Sequence, residues 1–259
     1  MISLDKNFLR GSYPPLITPF RGGAVDFEAH ARLLERQIAE GSHGVVVNGT
    51  TAEPSTLTVE ERNQLVRLAV QTARGRIPVV AATGSQSQAE TVELTTAAEE
   101  AGADAVLVVT PYFIRPPQRG LVEYYVDIGR RTRLPILIYH IPGRAAVNVE
   151  ADTIELIAER APNLVGIKHA TNDLALVTQV LGRLGTDFRI FVGASSLAEG
   201  SAQQGNAIEW AWALNAASSV LGSVLAMVIA IQFGLSWTLA SGALAYLLAL
   251  ALVPRLRTL

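Results

Sequence analysis

Lysine is scarce in this chain of 259 residues, occurring only at Lys6 and Lys168. Lys168 follows the apolar run Leu164, Val165, Gly166, Ile167, so its stem emerges from what reads as a strand. Burial at such a place disfavours the ammonium and leaves a fraction of the amine neutral near pH 7, as imine formation requires. A strand-end lysine also reaches solvent without doing chemistry, and position alone leaves both roles open. Tyr139 closes another apolar run; a phenol there could pass a proton to and from a carbinolamine oxygen, or simply cap the core as a half-buried aromatic. Gly49, Thr50 and Thr51, in the stretch Asn48-Gly49-Thr50-Thr51-Ala52-Glu53, follow a third run. The two threonine hydroxyls could extend a proton relay, or could satisfy their own turn. Arg144, after Ile141-Pro142-Gly143, carries the planar fork that clamps a carboxylate, although a loop arginine is equally at home in solvent. His140 and His169 each follow one of these residues, where either reads most simply as a hydrogen-bonded rim residue. Neither has a carboxylate at metal-ligand spacing, so no metal is expected, and nothing calls for a cofactor.

The elements that would position these residues repeat. Short β-branched runs occupy 15–18, 44–48, 77–82, 105–110, 135–139, 164–168 and 189–193, their starts 25 to 33 residues apart. That interval holds one strand, one crossover helix and two loops. Thr58 with Glu61, and Ser87 with Glu90, fit the capping box that opens a helix, and Gly41, Gly75 and Gly102 stand where helices should stop. Near-continuous apolar strands between helices predict an α/β fold with a parallel sheet. Without a glycine-rich phosphate fingerprint after the first strand, the regular units favour a (β/α)8-type TIM barrel, whose functional side chains sit at the C-terminal ends of strands. The pattern stops near Ala198 after seven strands, and an eighth is not recognisable.

Gly49-Thr50-Thr51-Ala52-Glu53, Val109-Thr110-Pro111-Tyr112-Phe113, Tyr139-His140-Ile141-Pro142-Gly143-Arg144 and Gly166-Ile167-Lys168 together resemble, in order and spacing, the signatures of the dihydrodipicolinate synthase and N-acetylneuraminate lyase family of class I aldolases. The resemblance covers residues 1 to about 200. It implies that Lys168 is the Schiff-base lysine, Tyr139 the relay tyrosine, Thr50 and Thr51 the relay and carboxylate-binding threonines, and Arg144 the holder of the second substrate's carboxylate. It further implies pyruvate or a related 2-oxo acid and an unidentified aldehyde as partners, and a homo-oligomer as the common assembly. Phe113 departs from the pattern, since the synthases typically place there a second tyrosine that reaches a neighbouring subunit's relay. His140 and His169 depart too, standing where asparagine and glutamate are usual.

The formal net charge of −2 comes without a basic stripe or acidic tail, which points away from nucleic acid. The absence of cysteine excludes disulfides, thiolate metal sites and thiol nucleophiles. The first residues contain no apolar core of signal-peptide length, so a cytoplasmic barrel is expected. Residues 210–254 contain no charged side chain. Within them, 210–233 and 235–253 are each long enough to cross a bilayer, and Trp210, Trp212, Arg255 and Arg257 fit its borders. The tail, 201–259, thus reads as a transmembrane hairpin like those of unrelated bacterial membrane proteins, anchoring the barrel at the inner membrane. A second reading of the whole follows: a catalytically inactive barrel fragment fused to a membrane hairpin.

Overall fold

The β-branched runs pair with one another in the order in which they occur. The computed structural model describes residues 1–171 and 174–193. Along the chain these form β1 (Phe20–Arg21), β2 (Ala24–Val25), α1 (Phe27–Ala39), β3 (Val45–Val47), α2 (Val59–Ala73), β4 (Val79–Ala82), α3 (Gln88–Glu100), β5 (Ala105–Val109), α4 (Gln118–Arg131), β6 (Ile136–His140), α5 (Pro142–Ala145), α6 (Ala151–Arg160), β7 (Leu164–His169), α7 (Leu174–Leu184) and β8 (Arg189–Val192). Strands β3 to β8 make one six-stranded parallel sheet in sequence order, each joined to the next through a helix. This is the greater part of a (β/α) barrel, so the barrel expectation is met in its class and connectivity.

The first expected strand, 15–18, is reduced to a single bridge, Pro15 beside Val46. Two backbone bonds support it, Leu16 N–H to the Val46 carbonyl at 2.9 Å and Val46 N–H to the Pro14 carbonyl at 3.0 Å. Prolines at 14, 15 and 19 have no N–H to give, which shortens the ladder. Just beyond, β1 and β2 form a small antiparallel hairpin absent from the sequence reading. Its turn, Gly22-Gly23, has φ of 60° and 85°, the left-handed pair that suits a two-residue hairpin turn.

The helices start where the capping residues said. Thr58 and Glu61 form the complete reciprocal box at α2, a motif whose cap is worth about 1 kcal/mol. At α3 only half of the expected box forms: Ser87 accepts from the Glu90 N–H. The Glu90 carboxylate instead takes the buried Arg62 guanidinium at 3.0 Å, because an unpaired buried cation would cost more than an uncapped N–H. Helix α4 buries Leu121, Tyr124, Tyr125 and Ile128, an i, i+3, i+4, i+7 stripe turned to the sheet. The Tyr125 hydroxyl donates to the Val108 carbonyl at 3.0 Å, so its burial leaves no polar group unmet.

No strand follows β8 among the described residues. Among those residues no helix is long and apolar enough to cross a membrane. The hairpin expected at 210–233 and 235–253 lies outside the described residues and gains no support here.

Candidate active site

Lys168 and Tyr139 are register partners on β7 and β6, so they emerge on the same face of the sheet. The Lys168 Nζ lies 4.4 Å from the centroid of the Tyr139 ring. Burial pulls the Lys168 ammonium down to about 8 from its ordinary value of 10.5, and the ring face beneath it offsets only part of that cost. With a pKa near 8, about one amine in ten is neutral at pH 7, against roughly one in three thousand for an ordinary lysine. That difference separates a usable nucleophile from a solvated cation.

The Tyr139 side chain is only 6 % exposed. Burial raises its phenol above the usual value, while a hydrogen bond from Thr50 and the positive charge of Arg144 act in the opposite sense. The Thr50 hydroxyl donates to the Tyr139 oxygen at 3.0 Å. Thr50 reaches it from the 3-10 turn Thr50–Ala52 beyond β3. That turn is fixed from two sides. Asn48, at φ of 59°, gives its amide to the Arg62 carbonyl at 2.9 Å, and the Thr18 hydroxyl donates to the Ala52 carbonyl at 2.8 Å. Gly49 is extended, with φ of −64° and ψ of 176°, and leads into the turn. The N–H groups of Ala52 and Glu53 are used inside it, by the carbonyls of Gly49 and Thr50. Thr51 stands exposed on the same turn.

Arg144 is exposed on the short α5, near enough for its charge to act on Tyr139. His140 and His169, read in the sequence as rim residues, are instead buried at 3 % and 0 %. Their Nδ1 atoms lie 3.1 Å apart. Phe113 is 90 % exposed and has φ of 71°.

Sequence reasoning missed Gly193. A Cβ there would stand 2.9 Å from the Lys168 Cε and 3.8 Å from its Nζ, closer than side chains tolerate, so the missing side chain makes room for the amine. Its place at the end of the last apolar run, 189–193, was the available signal. None of the motifs that carry the family resemblance includes it.

The model of the dihydrodipicolinate synthetase family matches residues 8–229. The match runs past the boundary drawn from the motifs near residue 200 and into the first segment expected to span a membrane. The 4-hydroxy-tetrahydrodipicolinate synthase of Thermus thermophilus is 45% identical over 189 residues, covering 73% of this chain and 63% of that protein. That of Rhodospirillum centenum is 46% identical over 196 residues, covering 76% and 67%. Among solved structures, dihydrodipicolinate synthase from Aquifex aeolicus has 41% identity and a TM-score of 0.70, over 72% of this chain and 64% of that one. The chloride-inhibited dihydrodipicolinate synthase from Acinetobacter baumannii, complexed with pyruvate, has 39% identity and a TM-score of 0.69, over 71% and 64%. The matched part of the chain thus spans less than two thirds of the length of the Thermus protein.

Proposed function

Since this chain belongs to the dihydrodipicolinate synthetase family, we propose that it is a lyase or synthase that joins or cleaves a carbon-carbon bond through an imine between Lys168 and pyruvate or a related 2-oxo acid. The observation that carries the reading is the Lys168 amine, brought down to about 8 by burial and set 4.4 Å from the Tyr139 ring, whose phenol accepts from Thr50. The neutral Nζ attacks the C2 ketone, and the oxygen takes a proton to give a carbinolamine. A second protonation expels it as water and leaves a cationic imine. Loss of a C3 proton to a base gives the enamine, whose C3 adds to the aldehyde carbon; water then hydrolyses the product imine and restores the lysine. Tyr139, with Thr50 behind it, supplies and removes protons at the carbinolamine oxygen. The N–H groups and hydroxyls of residues 49–51 hold the 2-oxo acid's carboxylate, leaving Arg144 to hold a carboxylate on the aldehyde.

The alternative, a barrel fragment without activity, is the poorer account. Retention of a desolvated lysine beside a hydrogen-bonded phenol and threonine serves no packing need that a methionine and phenylalanine would not meet. The catalytic unit is read as residues 1–200, with 201–259 as a separate segment.

Deuterium uptake tests the reading. Pyruvate incubated with the protein in D2O exchanges its methyl protons through the enamine, followed by proton NMR. Exchange that depends on protein and is lost in Lys168→Arg supports the proposal; exchange no faster than in buffer contradicts it.

A further inference from the structure

His140 and His169 take no part in the chemistry above, yet they form the register pair directly after Tyr139 and Lys168. By strand alternation they project from the opposite face of the sheet. Nδ1 of His140 lies 3.1 Å from Nδ1 of His169, and Nε2 of His140 lies 3.3 Å from Oδ1 of Asn148. The second contact sets a direction. An amide oxygen only accepts, so Nε2 of His140 carries the hydrogen; in a neutral ring its Nδ1 is then a lone pair, and the hydrogen between the two rings belongs to His169. The bonds run one way, from His169 to His140 to Asn148.

Asn148 is also held from the other side. Its carbonyl accepts from the Gln118 amide of α4 at 2.8 Å, and the Gln118 oxygen takes the Glu150 N–H at 3.1 Å and the Thr153 hydroxyl at 2.7 Å. The His140 to Asn148 contact therefore closes residues 140–148 into a loop anchored at both ends. Arg144 stands at its middle, four residues from either anchor. Its charge is felt at Tyr139.

We propose that His169 and His140 are positioning residues, whose one-way hydrogen-bond chain closes this loop and holds the Arg144 guanidinium where it meets a carboxylate on the aldehyde substrate. The inference rests on the role given to Arg144 above. A loop left open at Asn148 samples more conformations, and the guanidinium must then be ordered at the expense of binding.

The test compares two aldehydes in condensation with pyruvate on the full chain: 4-oxobutanoate, which carries a carboxylate, and butanal, which does not. His169→Leu removes the donor that fixes the His140 ring with its Nε2 hydrogen toward Asn148, and so loosens that anchor of the loop. It should raise KM for 4-oxobutanoate about ten-fold, the scale of one lost hydrogen bond, with kcat and the KM for butanal within about two-fold. His169→Asn restores an N–H at the Nδ1 position and should stay within about two-fold of the parent throughout. An equal effect of His169→Leu on both aldehydes, no effect on either, or an asparagine variant no better than leucine would overturn the inference. Should the leucine variant fail to fold, nitrogen-15 NMR of the parent imidazoles decides. His140 is expected with hydrogen on Nε2 and His169 with hydrogen on Nδ1, and the opposite tautomers contradict the chain. A parent protein that forms no pyruvate adduct defeats the proposed function; one that forms it while His169→Leu leaves the 4-oxobutanoate KM unmoved defeats this inference alone.

Discussion

The Thr50 hydroxyl donates to the Tyr139 phenol across 3.0 Å, joining a turn that follows β3 to the end of β6, three strands along the sheet. Residues 89 positions apart meet at hydrogen-bond distance because the parallel sheet brings its strand ends to one rim. Removing the phenol with Tyr139→Phe keeps the ring under the Lys168 amine and deletes only the hydroxyl proposed to carry protons. The expected result is a fall in kcat of about 10²- to 10³-fold with the imine still formed, read by steady-state kinetics alongside adduct formation. Loss of the adduct as well would make Tyr139 a structural support for the lysine.

Lys168 couples both activity and stability to pH, and both rise as the amine loses its proton. Its pKa is lowered to about 8 in the folded chain from an ordinary 10.5. Between those values the unfolded chain binds more protons, so this residue's contribution to stability increases as pH rises from about 8 to 10.5, and the full penalty applies below about 8. Replacing the lysine with methionine should therefore stabilise the protein at pH 7, by an amount on the order of 1 to 3 kcal/mol. The gain should shrink by pH 9.5, as measured by urea unfolding at the two values. The rate of imine formation should climb with pH and level off above about 8. A stability gain that does not change with pH would mean that the lysine is not desolvated.

Gly193→Ala tests the room left for the amine. The added methyl would stand 2.9 Å from the Lys168 Cε, so the lysine must move, whereas a Cβ at Gly143 meets nothing within 4 Å. Adduct formation should slow about ten-fold or more in Gly193→Ala and remain unchanged in Gly143→Ala, with thermal midpoints recorded for both. Equal rates in the two variants would dissociate Gly193 from the site.

Much of the site could be read from residue order alone, because functional side chains of a parallel barrel come from strand ends and the strand ends were marked by apolar runs. Lys168, Tyr139 and Thr50, chosen on that argument, lie together in the structure. The two histidines did not. Proximity to Tyr139 and Lys168 in the chain suggested the rim, but alternate residues of a strand face opposite ways, so a partner of the chemistry was one position too late to share its face. Applying that parity to 139–140 and 168–169 would have predicted the buried pair. Asn148 lay beyond reach, since only the fold brings it to His140. The first strand was overread because β-branched residues count toward a strand while prolines at 14, 15 and 19 withhold the N–H groups that make the ladder. Glu90 was assigned to a cap from its spacing, whereas the buried Arg62, which claims it, comes from the preceding helix.

The most direct test is to trap the imine. The protein is incubated with pyruvate and sodium borohydride, digested, and searched by peptide mass spectrometry for the reduced pyruvate adduct, with Lys168→Arg in parallel. Lys6 is the only other lysine and serves as an internal control. The account predicts an adduct confined to Lys168 and absent from the arginine variant. A folded protein that acquires no adduct, or acquires it equally at Lys6, would contradict it.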